Sequence, residues 1–480
     1  MTHALPAQGR PTAEVLGELE RYGAQDPDYK NARLWSLVYY LDEGYADFQA
    51  QAWRAFSSAN GLNPTAFKSL KRFENEIIAA VAQMFHGTPE VCGVVTSGGT
   101  ESCLLAVKTY RDMARKRGVK KPEMVLPVTA HVAWFKAAEY LDVKPRLLPL
   151  DKSLHADVTK LPRLLNRNTV MILGSAPEYP HGTIDPIEAF GAIAEKRGIP
   201  LHVDACVGGF ILPFMAMNGR TLPPWDYRVP GVTSISADIH KYGFAAKGAS
   251  TITYPSLDLL RHQVFVHQDW PGGVFASPGI LGTRPGGAYA AAWAAMQHFG
   301  ESGYRDLAAR TMRAFDAMRR GIASMPELVV MGEPSGPLLA YGSRDAKVNI
   351  FAVGDQMDAR GWSINRVQRP DGLHAMITAG HLAVVDDYLR DLAQCVAVVK
   401  ADPSLARAGS AATYGMISHI PLRGMVRERV LDMFAQMYKA GGQELDLHAV
   451  PEPAPGWKGR MNAMADRLAG WYVARSQRKG

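Results

Sequence analysis

Ser234-Ile-Ser-Ala-Asp-Ile-His-Lys-Tyr-Gly-Phe-Ala-Ala-Lys-Gly248 decides how this chain is read. An apolar run of strand character ends there in a turn that carries Lys241 directly after a histidine and runs on to a glycine. Upstream, His202-Val-Asp-Ala-Cys206 is a second short apolar strand, and it closes on a lone carboxylate, Asp204. A lysine amine that can form a Schiff base, with an aspartate for a pyridinium nitrogen, is the minimum a protein must supply to use pyridoxal phosphate. His-Lys pairs and strand-terminal aspartates are each common. Their order, and the rest of the chain, give the reading its force.

Working outward, short apolar runs alternate with helical patterns. Strands are expected at 91–96, 124–128, 146–150, 170–174, 201–204, 232–236 and 250–254, with helices at about 99–117, 131–141 and 185–197. Such alternation predicts an α/β fold, a mostly parallel sheet covered on both faces. Ligands of such sheets bind outside the carboxyl ends of the strands, where Asp204 and Lys241 would both stand. Residues 64–86 read as a long amphipathic helix, with Leu70, Phe73, Ile77 and Val81 near a 3.6 period. Beyond Gly287 two helices (287–300 and 303–325) lead to expected strands at 328–331, 348–353 and 374–378 and helices at 382–400 and 422–439. The expected organisation is an N-terminal segment (1–63), a large domain (64–325) and a smaller α+β domain with its tail (326–480). The Pro-rich stretch 450–455 reads as an extended connection.

With 480 residues, 47% of them hydrophobic, the chain can bury a substantial core. No apolar stretch approaches the roughly 18 residues of a membrane span, and the polar N-terminus lacks the apolar core of a signal peptide. A soluble, cytoplasmic protein is expected. Four cysteines show no pairing or Cys-x-x-Cys spacing, and the 14 histidines no metal-ligand spacing, so neither a disulfide framework nor a metal is expected. The formal charge of +7 reads either as an ordinary surface with a basic tail (Arg467, Arg475, Arg478, Lys479) or as a field attracting phosphorylated substrates. No basic stripe interleaved with aromatics is present, which argues against nucleic acid.

Val95-Thr-Ser-Gly-Gly-Thr-Glu-Ser102 ends a strand and opens a helix. Its glycines let backbone N–H groups approach an anion that the helix N-terminus favours, and Thr100 adds a hydroxyl donor. His131 begins another expected helix. It is either a ring to stack on the cofactor or a capping histidine.

Thr96-Ser-Gly-Gly-Thr-Glu-Ser102, His131, Ala176-Pro-Glu-Tyr-Pro-His-Gly-Thr-Ile-Asp-Pro186, His202-Val-Asp-Ala-Cys206, Asp238-Ile-His-Lys-Tyr-Gly-Phe-Ala-Ala-Lys-Gly248 and Gly282-Thr-Arg-Pro-Gly-Gly287 stand in one order. In this the chain resembles the sphingosine-1-phosphate lyases, part of the group II decarboxylase family of pyridoxal-phosphate enzymes. The likeness runs from about Trp35 to Ala412-Thr-Tyr-Gly-Met416. It implies fold type I, the aspartate-aminotransferase-like fold, and a homodimer with shared active sites. It implies Lys241 as the Schiff-base lysine and Asp204 as the partner of the pyridine nitrogen, with His131 on one face of the ring and Cys206 near the other. Gly99, Thr100 and His240 would hold the cofactor phosphate, completed by Thr283 of the neighbouring subunit. Lys247 and Tyr179 would serve the chemistry, Tyr39 would reach the pocket from the partner, and Arg284 would organise the phosphate region.

The reaction so implied is a retro-aldol cleavage of a phosphorylated long-chain base at C2–C3, giving a long-chain aldehyde and phosphoethanolamine. An amino-acid decarboxylase of the same fold, and a non-catalytic relative, are the alternatives. One departure bears on the substrate. The lyases carry Asn-Pro-Leu-His-Pro before the long helix, whereas Asn60-Gly-Leu-Asn-Pro64 puts Asn63 in the histidine's place. Asparagine can hydrogen-bond a phosphate but cannot become cationic.

Overall fold

Val170, Met171, Ile172 and Leu173 are almost wholly excluded from solvent, and so is every residue from Leu201 to Asp204. Strands buried on both faces belong in the middle of a covered sheet. In the computed structural model, which describes residues 5–407, 409, 411 and 423–440, they do. The sheet comprises β1 (Cys92–Thr96), β2 (Glu123–Pro127), β3 (Lys144–Leu148), β4 (Thr169–Ser175), β5 (Leu201–Asp204), β6 (Val232–Ala237) and β7 (Ser250–Tyr254). Its order is β1-β7-β6-β5-β4-β2-β3, parallel throughout except for β7, which runs against both neighbours.

Side chains leave the strands alternately to two sides. Met124, Leu126 and Leu173 join α4 (Gly99–Lys116) and α5 (Val132–Leu141) in one apolar layer. Val125, Ile172 and Val203 join α3 (Lys68–Met84) and the helix Ile187–Arg197 in the other. The chain leaves β1, β4, β5 and β6 at the same sheet edge, so Ser97, Ser175, Asp204 and Asp238 meet there.

The strand and helix positions expected for the large sheet differ from those observed by one or two residues at their ends. The two helices expected at 287–300 and 303–325 correspond to Gly286–Ala323 and part at Gly300, whose φ of 56° and ψ of −170° are not helical. A four-stranded antiparallel sheet follows, ordered β10 (Leu328–Val330), β11 (Leu338–Ser343), β13 (Gly372–Met376), β12 (Asn365–Val367). The apolar run 348–353, expected as a strand, instead enters the helix Ile350–Asp358. Asn349 decides this: its side-chain oxygen accepts the N–H groups of Phe351 and Ala352, both at 3.0 Å, and caps the first turn. An exposed hairpin, β8 (Phe265–His267) and β9 (Phe275–Ser277), lies between the two sheets in sequence.

The N-terminal segment is anchored by Trp35. Its ring is fully buried and stacks on His381 at 4.1 Å. Among the described residues no helix is long and apolar enough to cross a membrane. Ala412–Met416, the Pro-rich stretch 450–455 and the basic tail lie outside the described residues.

Candidate active site

A cavity of about 490 Å³ opens at the carboxyl edge of the large sheet, and Lys241 and Asp204 both line it. Lys241 follows β6 in a turn in which its N–H donates to the Asp238 carbonyl. Its Nζ lies 2.9 Å from Asp238 Oδ2. Burial works to lower the Lys241 ammonium, but Asp238, with Cys206 and Asp204, outweighs it and holds the amine above its ordinary range. Asp238 is only 2% exposed. Burial would raise its carboxyl, yet Lys241 and His240 hold it low, so the pair is ionised. Sequence reasoning gave Asp238 no role, although it stands three residues before the lysine in the very stretch that was read first.

Opposite the lysine, Asp204 ends β5 and accepts two hydrogen bonds. The Cys206 N–H reaches Oδ1 at 3.0 Å and the Trp134 indole N–H reaches Oδ2 at 2.8 Å. His131 caps α5, its Nδ1 accepting the Ala133 N–H at 3.2 Å. The capping ring also lines the cavity. Burial, with Lys241, lowers its pKa against the pull of Asp204 and Asp238, leaving the ring neutral. The Cys206 thiol is pushed well up by its contact with Cys103, by burial and by Asp204, and it donates to Ser236 Oγ. It remains a thiol and is no nucleophile. No metal-ligand spacing was visible in the sequence, but the fold brings donor atoms of Cys103, Asp204 and Cys206 within 4.8 Å of one another.

The residues fit pyridoxal phosphate. Gly98 and Gly99 open α4 at the cavity wall, leaving first-turn N–H groups without helical partners. A Cβ at Gly99 would stand 2.9 Å from both Asp238 oxygens and from Cys206 Sγ, so the cradle needs glycine there. Among the described residues, His240 Nδ1 and Asp238 Oδ1 are buried without a hydrogen-bond partner, as expected of groups that await a polar ligand.

Two further candidates stand at the cavity wall. Tyr179 accepts a hydrogen bond from Asn365 at 3.0 Å, and its ring lies 4.4 Å from that of His374. Lys247 Nζ donates to the Leu37 carbonyl at 3.0 Å and sits 5.0 Å from the centre of the Tyr39 ring. Crowding by protein and repulsion from Lys241 lower this amine to about 8. Tyr39 was expected to arrive from a partner subunit. Here it packs within its own chain, against Lys247, Tyr242 and Phe244, its hydroxyl 2.8 Å from Met376 Sδ.

Asn63, Thr283 and Arg284 do not line this cavity. Asn63 caps a turn, its oxygen accepting from Thr65 and Ala66. Thr283 Oγ1 accepts from Asn60. Arg284 spans 2.8 Å to Glu74 and 2.8 Å to the Val95 carbonyl, tying α3 to β1. Removing Arg284 would leave buried Glu74 with only the more exposed Lys71, 3.0 Å away, and the Val95 carbonyl without this donor. Arg284→Ala is therefore expected to lower stability by about 3 kcal/mol in urea titrations. Unchanged stability with weakened substrate binding would return Arg284 to the substrate.

Residues 60–342 match the pyridoxal-dependent decarboxylase conserved domain. The chain is 42% identical over 452 residues to the sphingosine-1-phosphate lyase of Arabidopsis thaliana, spanning 91% of this chain and 81% of that protein. It is 41% identical to sphingosine-1-phosphate lyase 1 of Rattus norvegicus over 88% of this chain and 75% of that one. The solved sphingosine-1-phosphate lyase of Burkholderia pseudomallei superposes with a TM-score of 0.82 at 35% identity, over 90% of this chain and 97% of that one. Glutamate decarboxylase of Lactobacillus brevis, at 20% identity and a TM-score of 0.72, shares the fold over 83% of this chain and 96% of its own.

Proposed function

The chain belongs to the sphingosine-1-phosphate lyases of the pyridoxal-dependent decarboxylase family, and from that premise we propose which of its residues carry the reaction. The protein is a fold type I, pyridoxal-phosphate-dependent lyase that cleaves sphingosine 1-phosphate at C2–C3; the comparisons do not favour the decarboxylase alternative. Bound pyridoxal phosphate supplies a ring that withdraws the electrons of a bond broken at the substrate's Cα.

The chain's own groups do the rest. Lys241 would hold the cofactor's aldehyde end and Asp204 its ring nitrogen. Gly99, Thr100 and His240 would hold its phosphate, and His131 and the Cys206 thiol would confine its ring. Lys247, as the free amine, takes the proton from the substrate's 3-hydroxyl as the C2–C3 bond opens. Tyr179, oriented by Asn365, keeps its proton to donate towards the substrate. The observation that carries this assignment is the meeting of Lys241, Asp204, Lys247 and Tyr179 on one cavity.

A homodimer with shared sites belongs to the same proposal. Phe265, Val266, Trp270, Val274 and Ile280 form an exposed apolar run whose base is tied to the cavity by the Ile280 N–H, 2.7 Å from Glu101 Oε1. Thr283 and Asn63, which do not line their own cavity, would serve the neighbour's, with Asn63 bonding the substrate phosphate. Four free cysteines support the cytoplasm as its location.

The test is the pH dependence of phosphoethanolamine release from sphingosine 1-phosphate. A base that must be neutral gives a kcat/KM that rises about tenfold per pH unit and levels above about 8. A profile that falls through that range would instead make Lys247 a cationic phosphate ligand. No release at any pH would reject the lyase.

A further inference from the structure

Trp134 is fully buried in the first turn of the helix that His131 caps, and its indole N–H ends 2.8 Å from Asp204 Oδ2. The ring cannot easily turn away. It packs against His202 at 4.9 Å, and His202 is itself fixed by Ser234 Oγ at 2.7 Å and Ser236 Oγ at 3.1 Å. Burial lowers His202 to about 4, so this support is a neutral imidazole that adds no charge beside the aspartate. Among the described residues, the other donor to Asp204 is the Cys206 N–H on the opposite oxygen. Each carboxylate oxygen thus has one fixed donor from the chain and a lone pair left for the cavity.

We infer that Trp134 is a positioning residue whose indole N–H keeps the proton shared by Asp204 and the cofactor on the pyridine nitrogen rather than on the carboxylate. An N–H donor bonds a charged carboxylate more strongly than a carboxylic acid, and for a carboxylate as buried as Asp204 that difference is only partly made good by solvent. Without it the carboxylate competes better for the shared proton, and a ring that loses the proton withdraws electrons less well. Phenylalanine would fill most of the indole's space but offers no donor.

The inference rests on pyridoxal phosphate being seated against Asp204. The experiment uses holoenzyme loaded with cofactor isotope-labelled at the pyridine nitrogen, and compares wild type, Trp134→Phe, and a protein in which Trp134 alone is replaced by its benzothiophene isostere. The isostere exchanges the N–H for sulfur and keeps the ring's shape, so it decides the matter if the phenylalanine protein does not fold. Both replacements are expected to move the nitrogen resonance from the protonated towards the unprotonated position. Because the indole–Asp204 bond is already made in the cofactor-free chain, the cofactor dissociation constant is expected to change by less than about tenfold. A wild-type resonance in both proteins would overturn the role of Trp134. A change in the phenylalanine protein with a wild-type isostere would overturn it too, assigning the effect to packing. A wild-type protein with no protonated nitrogen at all would instead overturn the placing of the cofactor on Asp204.

Discussion

Lys241→Ala is expected to abolish turnover, by at least about a thousandfold, and to remove the visible absorbance of the bound cofactor. The lysine does two separable things. Its amine bonds the cofactor, and its charge balances Asp238, which lies 2.9 Å away and is otherwise buried. Breaking that pair leaves a stranded carboxylate, a loss of about 3–5 kcal/mol. Lys241→Arg separates the roles. It returns a cation to Asp238, and so most of the stability, but a guanidinium that never loses its proton cannot bond an aldehyde. Inactivity in both proteins with lost stability in only one is the expected pattern. An alanine protein that turns over at the wild-type rate would remove Lys241 from the chemistry.

Lys247→Ala is expected to keep the bound cofactor's absorbance while kcat falls about a hundredfold or more, the usual contribution of a general base. The pH limb near 8 should vanish with it, because the amine that titrates there has gone. The physical ground is its position: burial, and then repulsion from Lys241, push it towards neutrality, while it is held by carbonyls and an aromatic face rather than by a carboxylate. Unchanged kinetics would leave Lys247 as a lysine that fastens residue 37 across the cavity mouth.

What was legible in the sequence follows from what is local. The strands of the large sheet contain short apolar stretches, longest in β4, and the helices between them carry a 3.6 period, so both could be found without knowing their neighbours. Lys241, Asp204 and the Gly98-Gly99 turn could be found for the same reason, since each sits at the end of its own strand. Residues 348–353 are apolar in either conformation, and a single side-chain cap from Asn349 tips them into a helix. Other residues were hidden because their meaning is a contact across the fold. Trp134 meets Asp204 from 70 residues away, and Arg284 meets Glu74 across 210. The resemblance gave Arg284 to the phosphate region; its buried partner Glu74 could not be seen in the sequence. Asp238 was visible, and only the distance to Lys241 gives it a role.

The most direct test of the account is product analysis by mass spectrometry after cofactor-loaded protein is incubated with sphinganine 1-phosphate. The expected result is a long-chain aldehyde together with phosphoethanolamine in equal amounts, which would also show that asparagine at position 63 is tolerated. Intact substrate, in a protein that visibly holds its cofactor, would contradict the cleavage and leave only the cofactor site standing.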